Sequence, residues 1–303
     1  MKNNSVKAII CASLANIIWG FSFLFTRLGL DAAPTPNVML SHRFLIAAIF
    51  MVILMLCKVG TISFKGKNWK PIATMLLLQI VYRFLETYGL LYTNTTISGL
   101  VLAVVPVVTI GTGALFLREY PTLRQGLFCL LPVTGVILMT VSGKELGVIA
   151  PFGVVLLMLT LLTSAIYKTV NRKAAQDFNY FERSFLMLCN SALVFTILGM
   201  NSVGWDMKAY VSPLLNGKYL LSVLILGLLC SVTAQLLSNY ATGKMSVFKM
   251  SSFGSLSTLC SVFAGVIILK EPMSITLLLG AILILVGIRQ VTKPDKKQIT
   301  ADH

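Results

Sequence analysis

The chain has 303 residues, 56% of them hydrophobic, and only 12% are charged, with 25 Lys and Arg against 10 Asp and Glu. Soluble domains average about 25% charged residues, so the composition excludes a water-soluble globular protein, and its apolarity excludes disorder. The formal net charge of +15 follows from the crowding of basic residues in cytoplasmic loops, so no nucleic-acid partner is expected.

Ten apolar segments follow in chain order, at about residues 7–30, 37–57, 70–92, 97–117, 122–141, 151–171, 180–200, 218–241, 247–269 and 273–291. Each is close to the roughly 20 residues that a helix needs to cross a bilayer. Ten of them leave no room for a water-soluble catalytic domain. The first segment begins behind Lys2 and Lys7. Its apolar run is too long for a signal peptide and no A-x-A-like site follows, so an uncleaved first helix is expected. Pro34, Pro36, Pro71, Pro121, Pro151 and Pro272 stand at or beside segment starts, where a missing N–H costs nothing.

Two connections are long. Residues 58–69 carry Lys58, Lys65 and Lys67, and residues 201–217 carry Trp205 and Tyr210, which are expected along the membrane interface. With the N-terminus inside, 18 of the 25 Lys and Arg fall on the inner side, six fall outside and Arg83 lies within the third segment. That bias places both termini in the cytoplasm of a multi-pass protein of the cell membrane. Residues 294–303 are polar and aperiodic and read as a solvated tail.

The third segment holds the sharpest chemistry: Gln79, Tyr82, Arg83 and Glu86. Their offsets of three, four and seven place them on one helical face. At 1.5 Å per residue, Arg83 lies about 20 Å from the segment start and Glu86 about 24 Å. Both are too deep to snorkel from the inner surface. Each charge near the bilayer centre costs about 2.5–3.5 kcal/mol, so such residues mark functional sites. An Arg–Glu pair that neutralises itself and fixes helix packing is the alternative. Glu86 stands alone as a carboxylate within a predicted span away from its ends, so it is the candidate for any coupling to protons.

Other polar residues are open to two readings. Ser231, Gln235, Ser238, Asn239 and Thr242 form a stripe on the eighth segment, which lines a cavity or bonds neighbouring helices. Ser251, Gly254, Ser255, Thr258 and Ser261 on the ninth favour close helix packing. Trp19 offers an aromatic wall to a substrate, or ordinary packing. Arg43 and Lys168 sit near segment ends, from which they can snorkel; for Arg43 a functional role is the alternative. Glu119 and Glu271 follow Arg118 and Lys270, where a loop ion pair or a helix-end cap suffices. Asn94-Thr95-Thr96 matches a glycosylation acceptor in a loop too short to favour it. Six scattered cysteines, with only His42 and His303, supply neither a CxxC pair nor a metal set, so no cofactor is expected.

The two halves echo each other. Leu117-Arg118-Glu119 closes the fourth segment and Leu269-Lys270-Glu271 the ninth, and each Glu is followed 16 positions on by Gly135 or Gly287. Five segments per half require the second half to enter the membrane inverted. Trp19-Gly20-Phe21-Ser22, Arg43-Phe44-Leu45, the run Ser98, Gly99, Ala103 and Pro106, and the paired Leu-Arg/Lys-Glu endings resemble the EamA-type transporters of the drug/metabolite superfamily. The resemblance spans about residues 10–290. It weakens in the second half, where Thr258 replaces the counterpart of Pro106 and the sixth segment lacks a match to Trp19.

The resemblance implies an all-α membrane protein of ten transmembrane helices, in two inverted five-helix repeats at residues 1–145 and 146–293. It also implies movement of small metabolites such as amino acids, their analogues or small drugs, usually outward. A secondary transporter is therefore expected, with a small-molecule substrate, the lipid bilayer and protons as partners. Trp19, Gln79, Tyr82, Arg83, Glu86, Gln235 and Asn239 are the candidate substrate-binding or coupling residues. No Walker motif points to ATP. The competing classes are a membrane-embedded enzyme, against which no nucleophile–base arrangement stands in the spans, and a structural or signalling membrane protein.

Overall fold

The computed structural model describes residues 2–63, 66–92, 104–141, 151–257, 259–260 and 275–292. Among the described residues every regular element is helical: α1 (Lys2–Ala32), α2 (Pro36–Leu56), α3 (Trp69–Leu91), α4 (Val105–Leu117), α5 (Leu123–Phe128), α6 (Leu130–Val141), α7 (Pro151–Ala174), α8 (Tyr180–Ser202), α9 (Met207–Val211), α10 (Gly217–Ile225), α11 (Ala234–Lys244), α12 (Val247–Ser252) and α13 (Ile275–Thr292). Short polar side chains set the starts. Thr35 caps α2 through the amide of Val38, with Pro36 in the first turn. Asn68 caps α3, and Asn216 caps α10. Thr122 with Gln125 and Asn179 with Glu182 form reciprocal capping boxes on α5 and α8, each satisfying two amides that a helix start leaves orphaned.

Among the described residues, five stretches are long and apolar enough to cross a membrane: Ser5–Ser22, Pro36–Leu56, Pro151–Ala174, Tyr180–Ser202 and Gly217–Lys244. The 23-residue α3 is not among them; it carries Gln79, Arg83 and Glu86 within its length. The expected fifth segment is broken at Cys129 into α5 and α6. The expected eighth runs from α10 to α11 through a π-helical stretch, Leu226–Thr233. Residues 201–217 are not a simple interfacial loop, because α9 and a 3-10 turn occupy part of them. Tyr210 turns inward, 7% exposed, and its hydroxyl bonds Ser41. Trp205 stays exposed.

The helices pair in a pattern that maps onto itself when the halves are exchanged. α2 packs on α8, α6 on α13 and α4 on α12, while α3 lies on α7 as α1 lies on α11. The α2–α8 pair holds the main core, where Phe44 stacks on Phe195 with centroids 5.4 Å apart. The two glycines noted in the repeat meet at the α6–α13 crossing. A Cβ on Gly135 would lie 2.6 Å from the carbonyl oxygen of Gly280, and one on Gly287 would lie 2.3 Å from Pro132 Cδ. Only glycine lets these backbones approach so closely. Outward-facing positions are apolar, among them Ile49, Leu77, Leu193 and Leu221, as a lipid-facing surface requires.

Candidate functional site

The helical offsets of α3 bring its polar residues together. The Tyr82 hydroxyl donates to Glu86 Oε1 at 2.6 Å and Arg83 Nη1 donates to Glu86 Oε2 at 2.9 Å. Both carboxylate oxygens are thus engaged, in charge-assisted bonds stronger than neutral ones. The Arg83 and Glu86 side chains are 21% and 19% exposed. One turn away, Gln79 accepts from the Ser191 hydroxyl at 2.9 Å. Two donors on this face, Arg83 Nε and Gln79 Nε2, are buried without a hydrogen-bond acceptor.

Four other parts of the bundle converge on this face. From α7, the Tyr167 ring stacks on Tyr82 with centroids 6.3 Å apart, and its hydroxyl donates to Met187 Sδ at 3.1 Å. The next residue, Lys168, acts electrostatically on Glu86 and forms no ion pair of its own among the described residues. From α2, Arg43 is 7% exposed and its Nε donates to the Ser231 hydroxyl at 2.8 Å. Its charge interacts with Arg83, Glu86, Tyr82 and Cys230. From α1, the Trp19 indole N–H donates to the Cys230 carbonyl at 2.9 Å. Cys230 and Ser231 belong to the π-helical stretch. Such a widened turn leaves carbonyls free for side-chain donors and recurs at functional sites.

Gln235 belongs to a second polar group, donating to Asn239 Oδ1 at 3.2 Å. Asn239 also accepts from Asn171 Nδ2 at 2.9 Å and donates to the Ser184 hydroxyl at 2.9 Å. Arg183, 1% exposed, donates to Asn171 Oδ1 at 2.6 Å and to the Asn239 carbonyl at 2.5 Å. Asn239 is therefore engaged in joining α11 to α7 and α8. Of the seven expected residues, Tyr82, Arg83 and Glu86 bond directly, and Gln79 lies one turn away. Trp19 faces the Arg43–Ser231 side, and Gln235 bonds Asn239 one turn beyond.

Contacts decide two of the open readings. Arg43 does not snorkel; it is buried on Ser231 because α2 begins at Pro36 and carries it into the bundle. Lys168 is partly buried on α7, which continues beyond it to Ala174. Glu119 pairs with Arg172 at 3.2 Å instead of Arg118. Arg118 adopts a left-handed backbone (φ 54°) that ends α4 and turns Glu119 back toward α7. Glu119 also accepts from the Val247 amide at 2.8 Å, while Arg172 donates to the Thr242 and Gly243 carbonyls.

Tyr167, Cys230 and Ser63 entered without warning from the sequence. Glu182 had a signal, the Asn-x-x-Glu capping pattern; it is 1% exposed and accepts from Lys67 at 2.5 Å and from the Ser63 amide at 2.8 Å. Within the expected small-residue stripe, Ser251 donates to Thr109 at 3.1 Å, a packing contact. Asn94-Thr95-Thr96, Ser98, Gly99, Ala103, Thr258, Ser261, Lys270, Glu271 and the tail lie outside the described residues. Among the described residues, no group of three or more His, Cys, Asp or Glu could hold a metal.

The EamA-like transporter family model matches residues 6–141 and 151–292. The uncharacterized transporter YcxC of Bacillus subtilis is 31% identical over 292 residues, covering 95% of this chain and 93% of that protein. An uncharacterized transporter of Archaeoglobus fulgidus is 25% identical over 296 residues, covering 95% and 99%. A crystal structure at 15% identity superposes with a TM-score of 0.79, covering 94% of this chain and 96% of that one, which establishes a shared fold. The chain belongs to the EamA-like transporter family and is a multi-pass integral membrane protein.

Proposed function

We propose that the protein is a secondary transporter that moves a small metabolite outward across the cytoplasmic membrane by alternating access. One observation carries this reading. Side chains from α1, α2, α3 and α7 converge on the Tyr82–Arg83–Glu86 group, inside a bundle whose exterior is apolar. Charged residues at such depth are costly, and they persist where they face a substrate or ion path. Arg83 would hold an acceptor group of the substrate, because its donors never lose their charge. Glu86 would balance that charge in the empty site or exchange a proton as access switches.

Ten spans in two inverted halves, residues 1–145 and 146–293 with both termini cytoplasmic, would rock about this group. The exchange pattern of helix pairs supports the two-repeat reading. In that orientation the Glu119–Arg172, Lys67–Glu182 and Arg183–Asn171 contacts all lie toward the inner side and hold it closed. Opening inward would break them.

The test is a metabolite profile of the medium around cells with and without the protein, followed by counterflow of the released compound in proteoliposomes. Expression-dependent release and carrier-mediated counterflow are expected. Identical media, and liposomes no leakier than empty ones, would contradict the reading.

A further inference from the structure

The central group carries more positive charge than its carboxylate can balance. Arg83 bonds Glu86, Arg43 is held on Ser231 within its electrostatic reach, and Lys168 follows Tyr167, which stacks on Tyr82; among the described residues no other carboxylate acts on any of the three. Both Glu86 oxygens are already occupied by Tyr82 and Arg83. The unsatisfied atoms nearby, Arg83 Nε and Gln79 Nε2, are donors. Guanidinium groups keep their charge in any protein environment. With Lys168 protonated, Arg43, Arg83, Lys168 and Glu86 together bear an excess of two positive charges among the described residues.

We propose that the substrate is a small organic dianion, of the dicarboxylate or phosphate-monoester type, held by Arg83, Arg43 and Lys168. The inference rests on the transport reading and adds the substrate class. A dianion supplies the acceptors that Arg83 Nε and Gln79 Nε2 lack, and a guanidinium fork matches a carboxylate or phosphate edge. A cation meets repulsion from three sides. A zwitterion brings an ammonium group to a site whose carboxylate is already engaged. The loaded group is electroneutral and the empty one is not, so the loaded site reorients more readily across the low-dielectric bundle. Exchange of one dianion for another should then outrun net flux.

Trp19 provides the readout, since its indole sits on the Cys230 carbonyl beside the Arg43–Ser231 bond. The chain has three tryptophans, and a Trp69→Phe/Trp205→Phe protein leaves Trp19 as the reporter. In liposomes this protein is titrated with succinate, glycerol phosphate, lactate, leucine and choline, with Trp19 emission and thermal midpoint followed together. Saturable binding of succinate or glycerol phosphate is expected, about tenfold or more weaker for lactate and absent for leucine and choline. Lys168→Gln should weaken the dianion by about tenfold while sparing lactate, and Lys168→Arg should restore it.

Three outcomes would overturn the substrate class: leucine or choline binding as well as the best anion, lactate matching the dianions, or no response to any anion. Counterflow of the same solutes separates the two readings. Leucine flux without anion binding removes the dianion and keeps the transporter. Dianion binding without flux of any solute removes the transporter and keeps the site.

Discussion

Replacing Glu86 with Gln should destabilise the protein more than replacing any cation around it. The carboxylate accepts at 2.6 Å from Tyr82 and at 2.9 Å from Arg83, with about a fifth of each charged side chain exposed. Opposite unit charges about 4 Å apart attract by about 4 kcal/mol at an effective dielectric near 20. Removing one member of a buried pair costs about 3–5 kcal/mol, since the other charge stays behind. Here Arg43 and Lys168 lose the same partner. Arg83→Met leaves Glu86 bonded to Tyr82 and facing two cations, so its cost should be smaller, about 1–3 kcal/mol. Arg83→Met/Glu86→Gln returns the net charge of the group to its original value and should recover most of the loss. Thermal midpoints of the four proteins in one detergent give the order directly. The double variant should insert normally, yet fail to transport when compared at matched membrane density. A Glu86→Gln protein as stable as the original, or normal transport by the double variant, would refute the reasoning.

Further outcomes follow from particular contacts. Gly287→Val places side-chain atoms against Pro132 at the α6–α13 crossing and should cost about 1–3 kcal/mol in thermal stability; an unchanged midpoint would show that the crossing is loose. Glu182→Ala removes the acceptor for Lys67 and for the Ser63 and Asn179 amides, and should lower stability by about 3–5 kcal/mol and speed proteolysis within residues 58–69. Topology is read with a protein retaining only the exposed Cys57 and another retaining only Trp205→Cys. An impermeant thiol reagent applied to intact cells should label the second and spare the first, and equal labelling would exclude the inverted halves.

The helices were legible because long apolar runs meet short polar caps. Ends at Pro36, Trp69, Pro151 and Tyr180 fall within a residue of the apolar boundaries. The Tyr82–Arg83–Glu86 group was legible because its contacts lie within one helix, where spacing alone decides which side chains meet. Arg43 was left open between snorkelling and a functional role because its partner lies on another helix: Ser231 is 188 residues away. A basic residue some distance from a helix end can snorkel or turn inward, and only the neighbouring helix decides. Glu119 was open to a loop ion pair or a helix-end cap, and only the fold supplies its partners, the Val247 amide at the start of α12 and Arg172 of α7. The π-helical stretch around Cys230 carries no proline to mark it, whereas Pro132, which lacks the N–H that would bond the Phe128 carbonyl, marks the break at Cys129.

The most direct measurement is a structure of the protein with the released metabolite bound. The account predicts that the ligand's acceptor atoms lie within hydrogen-bond distance of Arg83, between Trp19 and the Tyr82–Tyr167 stack. A ligand seated elsewhere, such as the cleft of about 500 Å³ lined by Arg118, Lys244 and Lys249, with Arg83 and Glu86 untouched, would contradict it.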